Sequence, residues 1–295
     1  MVNKDFEFLY EKEILPKALC GNERPRTGVI NEEEAIKVKL VSYTNNIYDM
    51  VFDAAMSCFG NTLDKHGKAT QEEKERVLEE VLKGRMLPNM LEGIVFTFEV
   101  EGMSKILHNQ LVRHRAGICY ASVTSGNFSQ RHTDFVCPPN VESSQFYDEY
   151  KDVVFRAMSL YVKMENAGIP IEDARNILPM SIVNQTMVFV NYRTLRDMIA
   201  QRWCDSGQPL GWTILCKKLK EEVNKVYPIL AKYLMRGCDK TKECRYPFDR
   251  TWSKYNQYKP CGRHPLVGET SGDEFLYDLT PQQGRKLSID YTKEG

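Results

Sequence analysis

Residues Ile94 to Arg115 read IVFTFEVEGMSKILHNQLVRHR, a strand pattern that gives way to a helix pattern. Phe96, Phe98 and Val100 alternate with Thr97, Glu99 and Glu101, so one face of the strand is apolar and the other polar. That alternation suits an antiparallel sheet with one covered face, whereas strands of a parallel sheet are apolar on both sides. Gly102 is expected to turn the chain and Ser104 to cap the next helix. On that helix Gln110, Arg113 and His114 stand at i, i+3 and i+4 and share a face. Such donors beside apolar Ile106, Leu107 and Leu111 are costly to bury unless an anion receives them. Guanidinium groups match phosphate through paired hydrogen bonds, so a phosphorylated ligand is a natural candidate. A solvated helix C-terminus, which favours cations, would explain the same residues.

Working outward, Lys37–Ser42 alternates as a strand and Tyr48–Phe59 reads as a helix. Gln71–Lys83 is a short amphipathic helix stopped by Gly84, after a loop from Gly60 to Thr70. The Gly-, Ser- and Thr-rich run after Arg115 reads as a loop, and Cys137-Pro138-Pro139 as a break. Ser143 or Ser144 is expected to cap a long helix with Phe146, Tyr150, Val153, Ala157 and Tyr161 on its stripe, ended by Gly168. A short helix after Pro170, a strand Thr186–Asn191 and a helix from about Thr194 to Cys204 follow. A last long helix carries Trp212, Leu215, Leu219, Val223, Val226, Leu230 and Tyr233 on its buried stripe. Strands and helices do not alternate regularly, so the fold class is α+β: a mostly antiparallel sheet flanked by long helices. No linker divides the middle, which gives an extension at 1–35, one domain at 36–236, and a Cys-containing extension and tail at 237–295.

The chain has 295 residues, 42% hydrophobic and 27% charged, with 40 basic residues against 40 acidic ones. A zero balance argues against general nucleic-acid binding and for a local anion site. No apolar run approaches the roughly 18 residues that span a bilayer, so no membrane partner is expected. Acidic residues interrupt the N-terminus, which lacks the apolar core of a signal peptide. With 9 cysteines, an odd number, the expectation is reduced thiols in the cytoplasm.

Further basic residues follow at Arg175, Arg193, Arg196 and Arg202. In their company the chain resembles the flavin-dependent thymidylate synthases, over roughly residues 38–235. Ile94–Val100 resembles the strand before the family's signature helix. Gln110-Leu-Val-Arg113-His114-Arg115, closing with Ser129-Gln130-Arg131, resembles the signature itself. The segments from Gly168 to Pro179 and from Asn191 to Leu195, and Arg202 with Gln208, resemble the three that follow.

The resemblance implies a thymidylate-synthase-complementing-type domain. Its activity would be reductive methylation of dUMP to dTMP with FAD, NADPH and methylenetetrahydrofolate. By matching position, Arg113, His114, Arg115, Asn191 and Arg193 would contact FAD. Cys58, Asn89, Glu92 and Asp197 stand at further flavin-side positions. Gln110, Arg113, Asn127, Ser129, Gln130, Arg131, Arg175 and Arg202 would hold dUMP, and Arg202 would carry the chemistry by stabilising the uracil ring as it loses its N3 proton. A homotetramer with sites between subunits is implied as well.

The chain departs from the family pattern in places. Ala116 to Phe128 makes the signature loop longer than the family's, and Gly126-Asn127 stands where the family has Asn-Glu. Cys58 replaces a common serine, and Asp197 a common asparagine. Another C5 product, such as hydroxymethyl-dUMP, or a non-catalytic nucleotide-binding role is the alternative. Near the C-terminus, Cys238, Cys244, Cys261 and His264 could supply four zinc ligands, although the first spacing is wider than usual. Reduced thiols in a loop are the plainer explanation, and no metal is assigned from the sequence.

Overall fold

The structure, a computed structural model, describes residues 29–60, 69–123, 125–126, 129–130, 133–205, 208–244 and 261–265. In chain order the elements are β1 (Val29–Asn31), α1 (Glu32–Ala35), β2 (Lys37–Tyr43), α2 (Ile47–Cys58) and α3 (Gln71–Leu82). A 3₁₀ turn (Pro88–Gly93) leads to β3 (Val95–Ser104), α4 (Lys105–Leu111), β4 (Ile118–Ser122) and β5 (Phe135–Cys137). Then come α5 (Pro139–Glu142), α6 (Tyr147–Asn166), α7 (Ile171–Ala174), β6 (Val183–Asn191) and α8 (Tyr192–Arg202). The chain closes with α9 (Leu210–Val226), α10 (Pro228–Ala231) and α11 (Gly237–Thr241).

An antiparallel sheet of four strands, ordered β2-β3-β6-β4, carries the fold, and β1 pairs with β5 in a separate parallel ribbon. The alternation in β3 works as expected: Phe96, Phe98 and Val100 are fully buried. They meet Val188 and Val190 of β6, Leu195, Met198 and Ile199 of α8, and Leu215, Leu219 and Val223 of α9 in one core. Burying such side chains contributes about 1.5–3 kcal/mol each. The segment before residue 36, read as an extension, forms β1 and α1 from residue 29 onward, with Ala35 and Ile36 buried. Of the extension at 237–295, residues 237–244 and 261–265 are described.

Several local expectations change. Gly102 does not turn the chain; β3 continues through it, with its register shifting between Val100 and Met103. The residue has φ +76°, and a Cβ there would lie 1.8 Å from the Ala35 carbonyl oxygen, so strand and α1 backbone meet where only glycine fits. Ser104 caps α4, its hydroxyl accepting from the Leu107 N–H at 3.2 Å. The long helix begins at Tyr147, not at Ser143 or Ser144, because Pro139 starts the separate turn α5. Its buried stripe is Val154, Met158, Tyr161 and Glu165, with Phe146 and Val153 exposed; the pattern is rotated from the expected one. Tyr227-Pro228 ends α9 at Val226, since proline has no N–H to continue the ladder, and Leu230 is buried from α10 instead.

The largest revision concerns the run after Arg115. Ile118–Ser122 is not loop but edge strand β4, paired antiparallel with β6 from Ile118↔Val190 to Ser122↔Thr186. The phenol of Tyr120 donates to the carbonyl oxygens of Leu111 at 2.7 Å and His114 at 3.1 Å. The first is the last carbonyl of α4 and the second lies three residues beyond it, so the phenol ties the helix end to the turn that follows. Burial pushes the Tyr120 hydroxyl up, which keeps it a donor. Strand β4 thereby holds the Arg-His-Arg segment in place.

Candidate active site

Arg202, the last residue of α8, is the centre of a polar cluster built from three elements. Its Nε–H donates to His114 Nε2 at 3.0 Å, and Nη1 donates to Gln208 Oε1 at 3.3 Å. The guanidinium carbon lies 5.0 Å from the Trp212 ring centroid, and the His114 ring meets the same indole edge-on at 6.1 Å. The Trp212 indole N–H in turn donates to Gln110 Oε1 at 2.6 Å. Burial, then the charge of Arg202, lowers the His114 pKa, so the ring is neutral and Nε2 is free to accept. Burial, with the nearby charge of Arg113, also lowers Arg202. The result is a guanidinium with a fixed direction on a half-buried surface.

A second group lies at the N-terminus of α8. Asn191 caps that helix, its Oδ1 accepting from the Thr194 N–H at 2.8 Å, and its own N–H donates to the Gly117 carbonyl at 2.9 Å. Thr194 donates through Oγ1 to the Ala116 carbonyl at 2.8 Å. Gly117 has φ +68°, and a Cβ there would fall 2.2 Å from Asn191 Nδ2. These contacts seat the chain after Arg115 directly on the α8 terminus. Arg193 pairs with Glu92 of the 3₁₀ turn at 2.6 Å. Asn89 of the same turn is exposed, as are Cys58 at the end of α2 and Asp197 on α8. Arg113 and Arg115 are exposed, and among the described residues neither has an acidic partner.

A third group surrounds the end of the long loop. Ser129 and Gln130 are buried. The Ser129 hydroxyl donates to Glu165 Oε2 at 2.9 Å, and the Gln130 N–H donates to the Tyr161 hydroxyl at 3.0 Å. Arg175 is paired with Glu172, and Gly126 lies against both: a Cβ there would be 2.0 Å from Glu172 Oε1 and 3.0 Å from Arg175 Nη1. Burial and then the Arg175 charge lower the Lys105 pKa, which puts two cations together. Lys105 begins α4 and Gln110 stands near its end, a rise of about 8 Å, so this one helix reaches from the Arg175 group to the Arg202 group. Asn127 and Arg131 lie outside the described residues.

A family model described as thymidylate synthase complementing protein matches residues 39–229. The chain belongs to the flavin-dependent thymidylate synthase family. It is 33% identical over 217 residues to the flavin-dependent thymidylate synthase of Sulfurisphaera tokodaii, covering 69% of this chain and 79% of that one. Its identity to the Saccharolobus solfataricus enzyme of the same name is 34% over 214 residues, covering 69% and 78%. Among solved structures, the fold is similar to the UMP/dUMP methylase PolB from Streptomyces cacaoi bound with 5-Br dUMP. There the TM-score is 0.58 at 16% identity, over 70% of this chain and 96% of that one. It is also similar to the flavin-dependent thymidylate synthase ThyX from Helicobacter pylori complexed with FAD and dUMP. That comparison gives a TM-score of 0.54 at 15% identity, over 68% and 100%.

Within this flavin-dependent thymidylate synthase fold, the residues singled out from the sequence fall into three groups. Gln110, His114 and Arg202 join through Trp212; Asn191, Arg193 and Glu92 gather at the α8 terminus; Ser129, Gln130 and Arg175 flank the loop. Two residues were missed. Trp212 reads as core, and it is fully buried, but its indole N–H is what ties Gln110 to the Arg202 cluster. Glu165 places a carboxylate against the Ser129 hydroxyl. Its signal was present: it continues the buried spacing of Val154, Met158 and Tyr161 along α6.

Proposed function

We propose that the chain converts dUMP, methylenetetrahydrofolate, NADPH and a proton into dTMP, tetrahydrofolate and NADP⁺, with FAD bound near Arg113, His114 and Arg115. The observation that carries this reading is the fixed Arg202 guanidinium, held by His114 and Gln208 against Trp212. FAD, when bound, supplies the hydride chemistry. Its diphosphate suits the exposed guanidiniums of Arg113 and Arg115, which have no acidic partner among the described residues.

Arg202 would face the uracil and stabilise the negative charge that develops when its N3 proton leaves. A guanidinium that keeps its proton serves there, and its preorganised direction removes the cost of reorienting it during the reaction. Neutral His114 accepts from Arg202 without competing for that charge. Arg175 and Lys105, with Arg131, would hold the nucleotide phosphate, while Ser129, Gln130 and Asn127 would line the same side. Homotetramer formation, with sites completed between subunits, is supported by apolar side chains left exposed on the outer sheet face: Val41 is 51% exposed, Val95 40% and Phe189 38%. We place the enzyme in the cytoplasm; no helix among the described residues is long and apolar enough to cross a membrane. The test is to incubate the protein with all four reactants and FAD and identify the nucleotide by mass. Formation of dTMP supports the reading, and unchanged dUMP contradicts it.

A further inference from the structure

Cys238, Asp239 and His264 bring a thiol, a carboxylate oxygen and an imidazole nitrogen within 4.8 Å of one another. Asp239 and His264 are 25 residues apart in the chain, yet Asp239 Oδ1 lies 2.9 Å from His264 Nε2. The Cys244 N–H donates to the Pro265 carbonyl at 2.7 Å, which lays Cys244 along the segment that carries Cys261 and His264. Cys204 stands two residues after Arg202, just past the end of α8. The thiols of Cys204, Cys244 and Cys261 all lie within electrostatic range of Cys238. None of these thiols is joined in a disulfide.

Four thiols and an imidazole from three separate parts of the chain make poor packing material, but they are the donor types that zinc takes in tetrahedral sites. Thiolates also discriminate against magnesium and calcium, which prefer oxygen. We infer that this cluster is a structural zinc site, with Cys238 and His264 as its fixed pair and two of the three thiolates of Cys204, Cys244 and Cys261 supplying the remaining two ligands. Asp239 on Nε2 leaves His264 Nδ1 for the ion and orients the ring, as carboxylates commonly do behind a ligating histidine.

The surroundings say what such a site would do. Arg236 bonds Asp205 at 3.0 and 2.8 Å and lies 4.5 Å from the Trp203 ring, while Arg263 reaches Asp205 at 3.4 Å. Gly237 comes so near α8 that a Cβ would stand 2.7 Å from the Ala200 carbonyl oxygen. An ion bound there would hold the C-terminal segment against the end of α8, beside Arg202 and Asp205.

The test uses the full chain, purified without a metal-affinity tag from zinc-supplemented cells, and reads metal content by plasma mass spectrometry. About one zinc per chain is expected. Cys119→Ser, whose thiol stands exposed on β4, should keep it; Cys238→Ser, His264→Ala and at least two of Cys204→Ser, Cys244→Ser and Cys261→Ser should lose it. Cobalt loaded in place of zinc should give intense thiolate-to-cobalt absorption. Wild-type protein with little or no zinc and no such cobalt absorption overturns the assignment however the variants fold. Full zinc retention by Cys238→Ser overturns it as well.

Discussion

The Arg202 Nε–H points at His114 Nε2 across 3.0 Å, joining the end of α8 to the Arg-His-Arg segment 88 residues earlier. That bond, with Gln208 and the Trp212 ring, gives the arginine one direction instead of many. Arg202→Ala is expected to lower kcat by about 10²–10³-fold, the cost of removing one preorganised donor from a developing anion. Arg202→Lys should not restore it, because a single ammonium cannot reach His114 and Gln208 in the fork geometry of a guanidinium. Circular dichroism should show both variants folded. Near wild-type turnover by either would remove Arg202 from the chemistry.

Gly126 has no room for a side chain beside the Glu172–Arg175 pair. A methyl group there meets Glu172 Oε1 at 2.0 Å, so Gly126→Ala is expected to displace that pair. The account places Arg175 on the nucleotide phosphate, so KM for dUMP should rise several-fold with little change in kcat. A steady-state dUMP titration checks this; an unchanged KM would mean that Arg175 does not hold the nucleotide.

The core also carries a pH dependence. His108 is buried, with Nε2 2.9 Å from the Ser122 hydroxyl, which lies 2.7 Å from Thr186 Oγ1. Burial, reinforced by the charge of Lys105, lowers its pKa from 6.5 to about 4. The unfolded chain therefore binds this proton more readily than the folded one. The stabilising contribution is complete above about pH 6.5 and is lost as the pH falls toward about 4. Urea unfolding at pH 7 and pH 4.5 should show wild type losing more stability than His108→Gln. Equal losses would contradict the assignment.

Gly102 tests the sheet. Its left-handed backbone alone disfavours any other residue by roughly 1–2 kcal/mol, and a Cβ would sit 1.8 Å from a backbone oxygen that cannot swing away. Gly102→Ala should lower the melting temperature or leave the protein insoluble. A melting temperature equal to wild type would mean that α1 does not pack there.

Much of this architecture was legible because β3 states its period plainly: Phe96, Phe98 and Val100 alternate with polar partners, and Ser104 supplies a cap. Strand β4 was not. Ile118–Ser122 carries one large aliphatic residue among Cys, Tyr, Ala and Ser, and its pairing is decided by β6, seventy residues away in the register Ile118↔Val190. Candidate residues with a rare spacing stood out in the sequence, whereas Trp212 and Glu165 each make their contact through one polar atom on an otherwise buried face. The convergence of Cys204 with Cys238, Cys244 and Cys261 depends on how α8 and α11 pack, which no spacing encodes.

The most direct measurement of the central claim is the mass of the nucleotide formed from dUMP by the FAD-loaded protein with methylenetetrahydrofolate and NADPH. The account predicts dTMP, formed by wild type and not by Arg202→Ala. Recovery of unchanged dUMP from wild type, or of a hydroxymethylated nucleotide without dTMP, would contradict it.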